Sequence, residues 1–297
     1  MTAAGPGTAR ETPGEGTDPD DDELARLRGE VRALRARVRA YPLISQAQGM
    51  LQERYALPDA ESAFTLMRRA SQRFNVKMRT LAGALVTTAR PDERTAVWFP
   101  RRVRHPEPAL GFLPPGTEGA RSRGAVLAAV LDRTLDVVGT GMGNVQTVDR
   151  VRGGLRIERH TGLSEEFVDF FEHVGADGTS CARAARDLSQ VTVRDVESDP
   201  VFSEPAREAI LAAGSRACHS VPLTTSAGHC VGMVSAHADR PLPELDRTRI
   251  EALDTLGAQA GRWLAWYERT VLLDALEYLH ALGREIRGAH RPAHRPA

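Results

Sequence analysis

The sequence predicts two architectures in series: a small all-helical N-terminal module, then an α+β domain on a mainly antiparallel sheet, closed by a long C-terminal helix. Three observations carry this prediction. Apolar residues recur at helical spacing from Leu24 to Leu85 with only short breaks. A connecting stretch, 91–119, then holds six prolines and three glycines. Beyond it, short strand-like runs lie between helical stretches, and the last two are joined by Ser226-Ala227-Gly228.

Bulk properties agree. The chain has 297 residues, 41% hydrophobic and 26% charged, as expected for about two globular domains. No apolar run approaches the roughly 18–20 residues that span a bilayer. Residues 1–22 are rich in Gly, Pro, Thr and Asp, and lack the basic start and apolar core of a signal peptide. They read as a disordered acidic tail, and the expected location is cytoplasmic with no membrane contact. Three cysteines, Cys181, Cys218 and Cys230, are too few and too odd in number for a disulfide framework. The net charge of zero conceals an asymmetry: residues 1–22 carry one basic residue and six acids, whereas 23–90 carry thirteen basic residues and five acids. A basic block beside a near-neutral domain is the footprint of a polyanion-binding module.

Within that block, Leu24, Leu27, Val31, Leu34, Val38 and Tyr41 alternate three- and four-residue steps, the seam of a coiled coil over 23–40. A helix so short needs a partner, either its own domain or, as is expected here, a second copy of the chain. Pro42 is expected to kink this helix or open a new one over 43–56. Leu57-Pro58-Asp59 then reads as a break, with Asp59 capping a helix over 60–74. Asn75 is expected to cap a last helix, 76–90, ended by Arg90-Pro91. In the connecting stretch, Val97-Trp98-Phe99 is a candidate to dock on a domain.

The stretch "YPLISQAQGMLQERYALPDAESAFTLMRRASQRFNVKMRTLAGALV" resembles the ANTAR domain, a bacterial RNA-binding antitermination module placed here at 41–90. The resemblance rests on Ile44 with Ala47-Gln48-Gly49, on Ala63-Phe64 with Arg68-Arg69, and on Ser71, Asn75, Lys77 and Ala82. It implies a three-helix bundle that, as a dimer, binds paired RNA stem-loops and prevents a terminator from forming. The implied RNA-facing residues are Ala47, Gln48, Gly49, Arg68, Arg69, Ser71, Asn75, Lys77 and Ala82. Two positions depart from the family pattern: Tyr41 stands where arginine is usual, and Gln48 where lysine is frequent. Lys77 is the only lysine among 39 basic residues. In the first turn after an Asn75 cap it would present a compact ammonium beside a helix N-terminus, suited to a phosphate. The same helices admit a second reading, a helix-turn-helix that enters a DNA groove. Its reading positions would be Arg79, Thr80, Gly83 and Ala84, which offer little polar chemistry beyond Arg79.

From about 120 the expected elements are a helix at 121–138, strands at 144–149 and 155–160, a helix at 164–173, a strand at 190–196 and a helix at 204–213. Strands at 217–224 and 229–237 form a hairpin. Helical sequence then runs over 244–287, with Leu272, Leu276, Leu279 and Ile286 on one stripe that invites a second dimer contact. The stretches "LDVVGTGMGNVQTVD", "GADGTSCARAARDLSQVTVRDVESDPVF" and "AGSRACHSVPLTTSAGHCVGMVSAHADRP" resemble a GAF domain over 120–270, with 271–297 as a closing helix and tail. The resemblance implies a sensor of an unknown small molecule or of redox state. In this family combination the GAF domain usually comes first; here the order is reversed.

Chemistry in the second domain is sparse. The GTGMGN run at 139–144 lies between a helix and a strand, the wrong order for a phosphate cradle. A turn at 226–228 places Cys218 across from Ser235 or Ala236, roughly 16 Å along the strands from Cys230, too far for a shared zinc. No metal or other cofactor is expected. Cys181, opening a helix, is the redox candidate through a lowered pKa. The GAF-fold enzymes that reduce free methionine sulfoxide supply a third reading, a thiol enzyme, which needs two thiols within disulfide reach. The reading these features favour is non-enzymatic: an RNA-binding antitermination regulator governed by a GAF sensor.

Overall fold

The computed structural model describes residues 19–92, 95–113 and 122–289. Residues 1–18 of the acidic tail and the side chains of Leu24 and Val38 lie outside the described residues, whereas residues 19–22, expected to belong to the disordered tail, are helical. Helix α1 (Pro19–Tyr55) runs 37 residues and includes Pro42. No new helix opens at Pro42, because it is exposed and water can satisfy the backbone carbonyl that proline leaves unpaired.

Helix α2 (Ala60–Phe74) begins as expected, with Asp59 accepting the Ser62 N–H at 2.7 Å. Asn75 differs from the expectation. It ends α2 in the left-handed conformation, φ 50° and ψ 43°, instead of capping the next helix. Asparagine tolerates that region, and the Ser71 hydroxyl secures the turn by donating to the Val76 carbonyl at 2.7 Å. Lys77 therefore occupies the cap position of helix α3 (Met78–Thr87) rather than its first turn. Leu51, Tyr55, Leu66, Met67, Leu81 and Leu85 fill the space between the three helices.

The second domain opens with α4 (Arg123–Val138) and is built on a six-stranded sheet. The strands are β1 (Met142–Val148), β2 (Leu155–Thr161), β3 (His173–Val174), β4 (Val191–Val193), β5 (Ala217–Thr224) and β6 (Cys230–Ala238). Their order is β3-β2-β1-β6-β5-β4, and every neighbouring pair is antiparallel. Two-residue β3 is too short to announce itself in sequence. Helices α5 (Glu165–Phe170), α6 (Ser180–Asp187) and α7 (Glu204–Ala212) share one apolar core, and α4 and α8 (Arg247–Tyr267) share the other. The β5–β6 hairpin turns at 226–228 as expected, but Cys218 pairs with His237. A bulge between Leu223 and Thr224 advances the register by one residue.

Helix α8 continues through a π-helical turn, Glu268–Leu272, into α9 (Leu273–Ala289). The expected stripe is present, but its partner is this chain. Leu272, Leu276 and Leu279 are buried in one core with α1 and α2, and Ile286 packs on the same core. Helix α9 is thus a fourth helix of the N-terminal bundle. At the contact, the Tyr55 hydroxyl meets His280 Nδ1 at 2.8 Å, and the ring lies against Gly283.

The connecting stretch is strapped along α8 and α9. Glu277 accepts the backbone N–H groups of Trp98 and Phe99 at 2.8 and 3.1 Å, and the Trp263 indole donates to Glu107 at 2.8 Å. Arg102 and Arg104 both pair with Asp274. Arg54, buried among apolar groups, stacks over the Trp98 ring at 5.0 Å.

A Cβ on residue 283 would sit 2.5 Å from the Tyr55 ring. Gly283→Ala is therefore expected to destabilise the protein by about 1–3 kcal/mol, read as a lower urea midpoint.

Candidate nucleic-acid interface and sensor core

The nine residues implied for RNA contact separate into groups. Gly49, Arg68, Arg69, Asn75 and Lys77 are exposed, and Gln48 and Ser71 are half-buried. Arg68 and Asn75 lie seven residues apart, on one stripe of α2 with Ser71 between them. Neither Arg68 nor Arg69 makes an ion pair with the described residues. Gln48 Nε2 donates to the Ala60 carbonyl at 3.0 Å, which ties α1 to the start of α2. Ala47 and Ala82 are fully buried, which corrects their expected contact with RNA. Their small side chains serve the close packing of α1 and α3 instead.

Lys77 reaches the second domain: its ammonium lies 3.3 Å from Glu158 Oε2. The Glu158 carboxylate is sealed in the interior and also pairs with Arg123 and Arg156. Burial alone would raise its pKa, but Arg123, Arg156 and Lys77 overcome that and bring it down to about 2. Beside it, Arg79 pairs with Asp149 at 3.4 Å. Arg79, Thr80, Gly83 and Ala84, the exposed surface required by a helix-turn-helix, instead line a cleft against the second domain. That placement removes the DNA-reading face.

On the opposite face of the sheet lies a buried polar floor. Ser220 and Ser235 hydroxyls are 2.9 Å apart, Cys181 Sγ is 3.1 Å from Ser235 Oγ, and Ser180 Oγ is 3.3 Å from Cys218 Sγ. His237 sits between Ser215 and Asn144, with the Phe167 ring edge-on at 5.1 Å. The Asn144 Oδ1 and Gln146 Oε1 atoms are buried without a partner among the described residues. Two acceptors left unpaired in a protein interior are costly, and a donor-bearing ligand would relieve them. Burial pushes the Cys181 thiol pKa up, against the expected lowering at a helix start, and pushes Cys218 up to about 12. Cys181 is thus a poor thiolate here.

Sequence reasoning missed Asn144, Gln146, Glu158 and the arginines around Glu158. A signal was present: "NVQTVD" places amides at alternate positions of a strand whose apolar neighbours face a core.

Comparison with known proteins identifies both modules. Residues 32–86 match the ANTAR domain, and residues 120–265 match the GAF domain. The chain carries an ANTAR domain followed by a GAF domain and is a regulator with a sensor domain. Among curated proteins, none matches the chain. Similar solved structures include a domain of a two-component sensor histidine kinase protein from Sinorhizobium meliloti 1021, at 21% identity and TM-score 0.41 over 49% of this chain and 92% of that one. A GAF domain/HD domain protein from Geobacter sulfurreducens matches at 17% identity and TM-score 0.41, over 48% of this chain and 91% of its own. The free methionine-R-sulfoxide reductase from Neisseria meningitidis matches at 20% identity and TM-score 0.38, over 49% and 82%.

Acid stability tests the buried groups. Burial holds the His219 and His237 pKa values down to about 4, so both stay neutral in the folded chain while the unfolded chain takes up protons below 6.5. Stability should fall as the pH drops from 6.5 towards 4, with a slope of about 2–3 kcal/mol per pH unit where both contribute fully. The Glu158 contribution is present above the ordinary glutamate value of 4.5 and is lost towards 2. Urea midpoints across pH, compared with those of Glu158→Gln, isolate the last component. Separately, native iodoacetamide labelling followed by mass spectrometry should modify the partly exposed Cys230 before Cys181 or Cys218.

Proposed function

We propose that this protein is a dimeric RNA-binding regulator that prevents transcription termination by holding RNA stem-loops through its ANTAR domain, under control of its GAF domain. The observation that carries the reading is the pair Arg68 and Arg69, exposed on α2 with no ion pair among the described residues. Guanidiniums left in water on a basic module are available to phosphates. Gly49, Ser71 and Asn75 supply a close backbone and neutral hydrogen-bonding groups.

Dimerisation is supported by the first part of α1. Leu27, Val31, Leu34 and Tyr41 are exposed along the seam spacing, with relative accessibilities from 44% to 70%. An apolar seam that its own chain leaves open suits a second copy. The GAF domain is read as the sensor of a small molecule or of redox state. The buried thiols favour a ligand over redox chemistry and over a thiol enzyme. No helix among the described residues is long and apolar enough to cross a membrane, and the regulator is read as cytoplasmic.

Fluorescence anisotropy with tandem stem-loop RNA and with duplex DNA across a salt series tests the reading. RNA is expected to bind more tightly, and the double variant Arg68→Ala/Arg69→Ala should lower the salt slope by about 1.5–2 units. DNA binding as tight as RNA binding, or an unchanged slope, would sink it. Sedimentation of Leu34→Glu should show loss of the dimer if the seam holds it.

A further inference from the structure

Between α3 and the β1–β2 end of the sheet lies a cavity of about 860 Å³, on the face opposite the polar floor. Small-molecule sites usually enclose about 300–1,000 Å³. Both domains contribute walls: Leu43 and Ala84 come from the bundle, and Val151, Tyr267 and Leu272 from the sensor domain. The π-helical turn 268–272 forms one side. Such turns add a residue per turn and redirect side chains, and they recur at functional sites.

The charge in this cavity is unbalanced. Five arginines (Arg79, Arg123, Arg150, Arg156 and Arg269) line it against three carboxylates, Asp149, Glu158 and Glu268. Two positive charges are in excess. One of them lies at the inner end, where Arg79, Arg123 and Arg156 crowd around Asp149 and Glu158 with side chains only 17%, 15% and 20% exposed. The other is the exposed Arg269, and Lys77, paired with Glu158, adds a further positive charge to the inner end. Arg150, by contrast, pairs with Glu268 at the rim at 2.6 Å. Burial weakens the hold of Arg156 on its proton, and the like charges of Arg79 and Arg123 add to this against the opposing pull of Glu158 and Asp149. Holding three guanidiniums together out of water is unfavourable unless anions offset them. The Thr147 hydroxyl stands beside Arg123 at 2.9 Å, and Thr80, Thr87 and Thr88 lie along the α3 wall.

We propose that this interdomain cleft binds a small organic phosphate, its dianionic head among Arg79, Arg123 and Arg156 and its uncharged body against Leu43, Ala84 and Val151. A phosphomonoester brings nearly two negative charges on a single group, which fits one cationic end and one apolar end. A dicarboxylate would need cations at both ends. A nucleic-acid backbone is a poor occupant because the guanidiniums are recessed between the domains. The bound molecule touches both domains, so it favours the arrangement in which they are docked. The inference stands apart from RNA binding and from dimerisation.

The test is isothermal titration calorimetry on the full chain without RNA, at fixed ionic strength. The probes are glycerol 3-phosphate, inorganic phosphate and glycerol. Glycerol 3-phosphate should saturate one site per chain and bind more tightly than inorganic phosphate, and glycerol should not bind. Arg79→Met should weaken the phosphate ester about tenfold. Glu158→Gln, which removes a competing carboxylate, should tighten it severalfold. A merely loosened fold would weaken both variants, so the opposite signs separate ligand contact from damage. Arg194→Ala, at an exposed pair with Glu244, should match the wild type. No saturation below about 10 mM ester, or equal affinity in the Arg79, Glu158 and Arg194 variants, would overturn the proposal.

Discussion

The apolar stripe of α9 is the constraint on which the arrangement of the two domains depends. Leu276 and Leu279 are fully buried in the same core as Leu51 of α1 and Leu66 of α2. Burying each such side chain contributes about 1.5–3 kcal/mol relative to exposure. Because α9 continues α8 through a π-helical turn, whatever positions the sensor sheet also positions the ANTAR bundle. The strap of 95–113 fixes the same helices from outside, through Glu277, Asp274 and Gln259. The interface is therefore covalently continuous on one side and electrostatic on the other, where Lys77 and Arg79 meet Glu158 and Asp149.

This division of labour bears on regulation. A hydrophobic core is insensitive to small changes in charge, whereas an ion-pair seam responds to any group that competes for its partners. Lys77 lies on the seam while Arg68 and Arg69 lie outside it. The sensor domain thus holds Lys77 and Arg79 of the basic module and leaves Arg68 and Arg69 in water. In a chain whose other 38 basic residues are arginines, the single lysine places a compact charge over a buried carboxylate.

Much of the fold was legible because periodicity reports burial. Met67, Leu81 and Leu85 show their core face in the sequence, and the turn at 226–228 announces its hairpin. What periodicity does not report is the partner. The stripe at Leu272, Leu276 and Leu279 reads the same whether it covers another chain or its own, and here it covers its own. Asn75 was ambiguous for a related reason: it suits both the start of a helix and the left-handed end of one. The candidate site was less legible. Exposure of Arg68 and Arg69 followed from the amphipathic pattern of α2, but burial of Ala47 and Ala82 did not, since alanine is at home on either face. The Glu158 cluster draws on α3, α4 and β2, and no local pattern links residues 81 positions apart.

The contact between Tyr55 and His280 joins residues separated by 225 positions. On the ribosome, synthesis proceeds at roughly 5–20 residues per second, and N-terminal domains ordinarily fold first. In this chain the first bundle lacks its fourth helix until residues 273–289 emerge. Nascent α1–α3 expose the surface that α9 later covers, so an ANTAR module with its complete core exists only once its sensor has been made. A chain interrupted before α9 would leave that surface bare, the kind that chaperones and proteases recognise, which couples maturation of the ANTAR bundle to synthesis of its sensor.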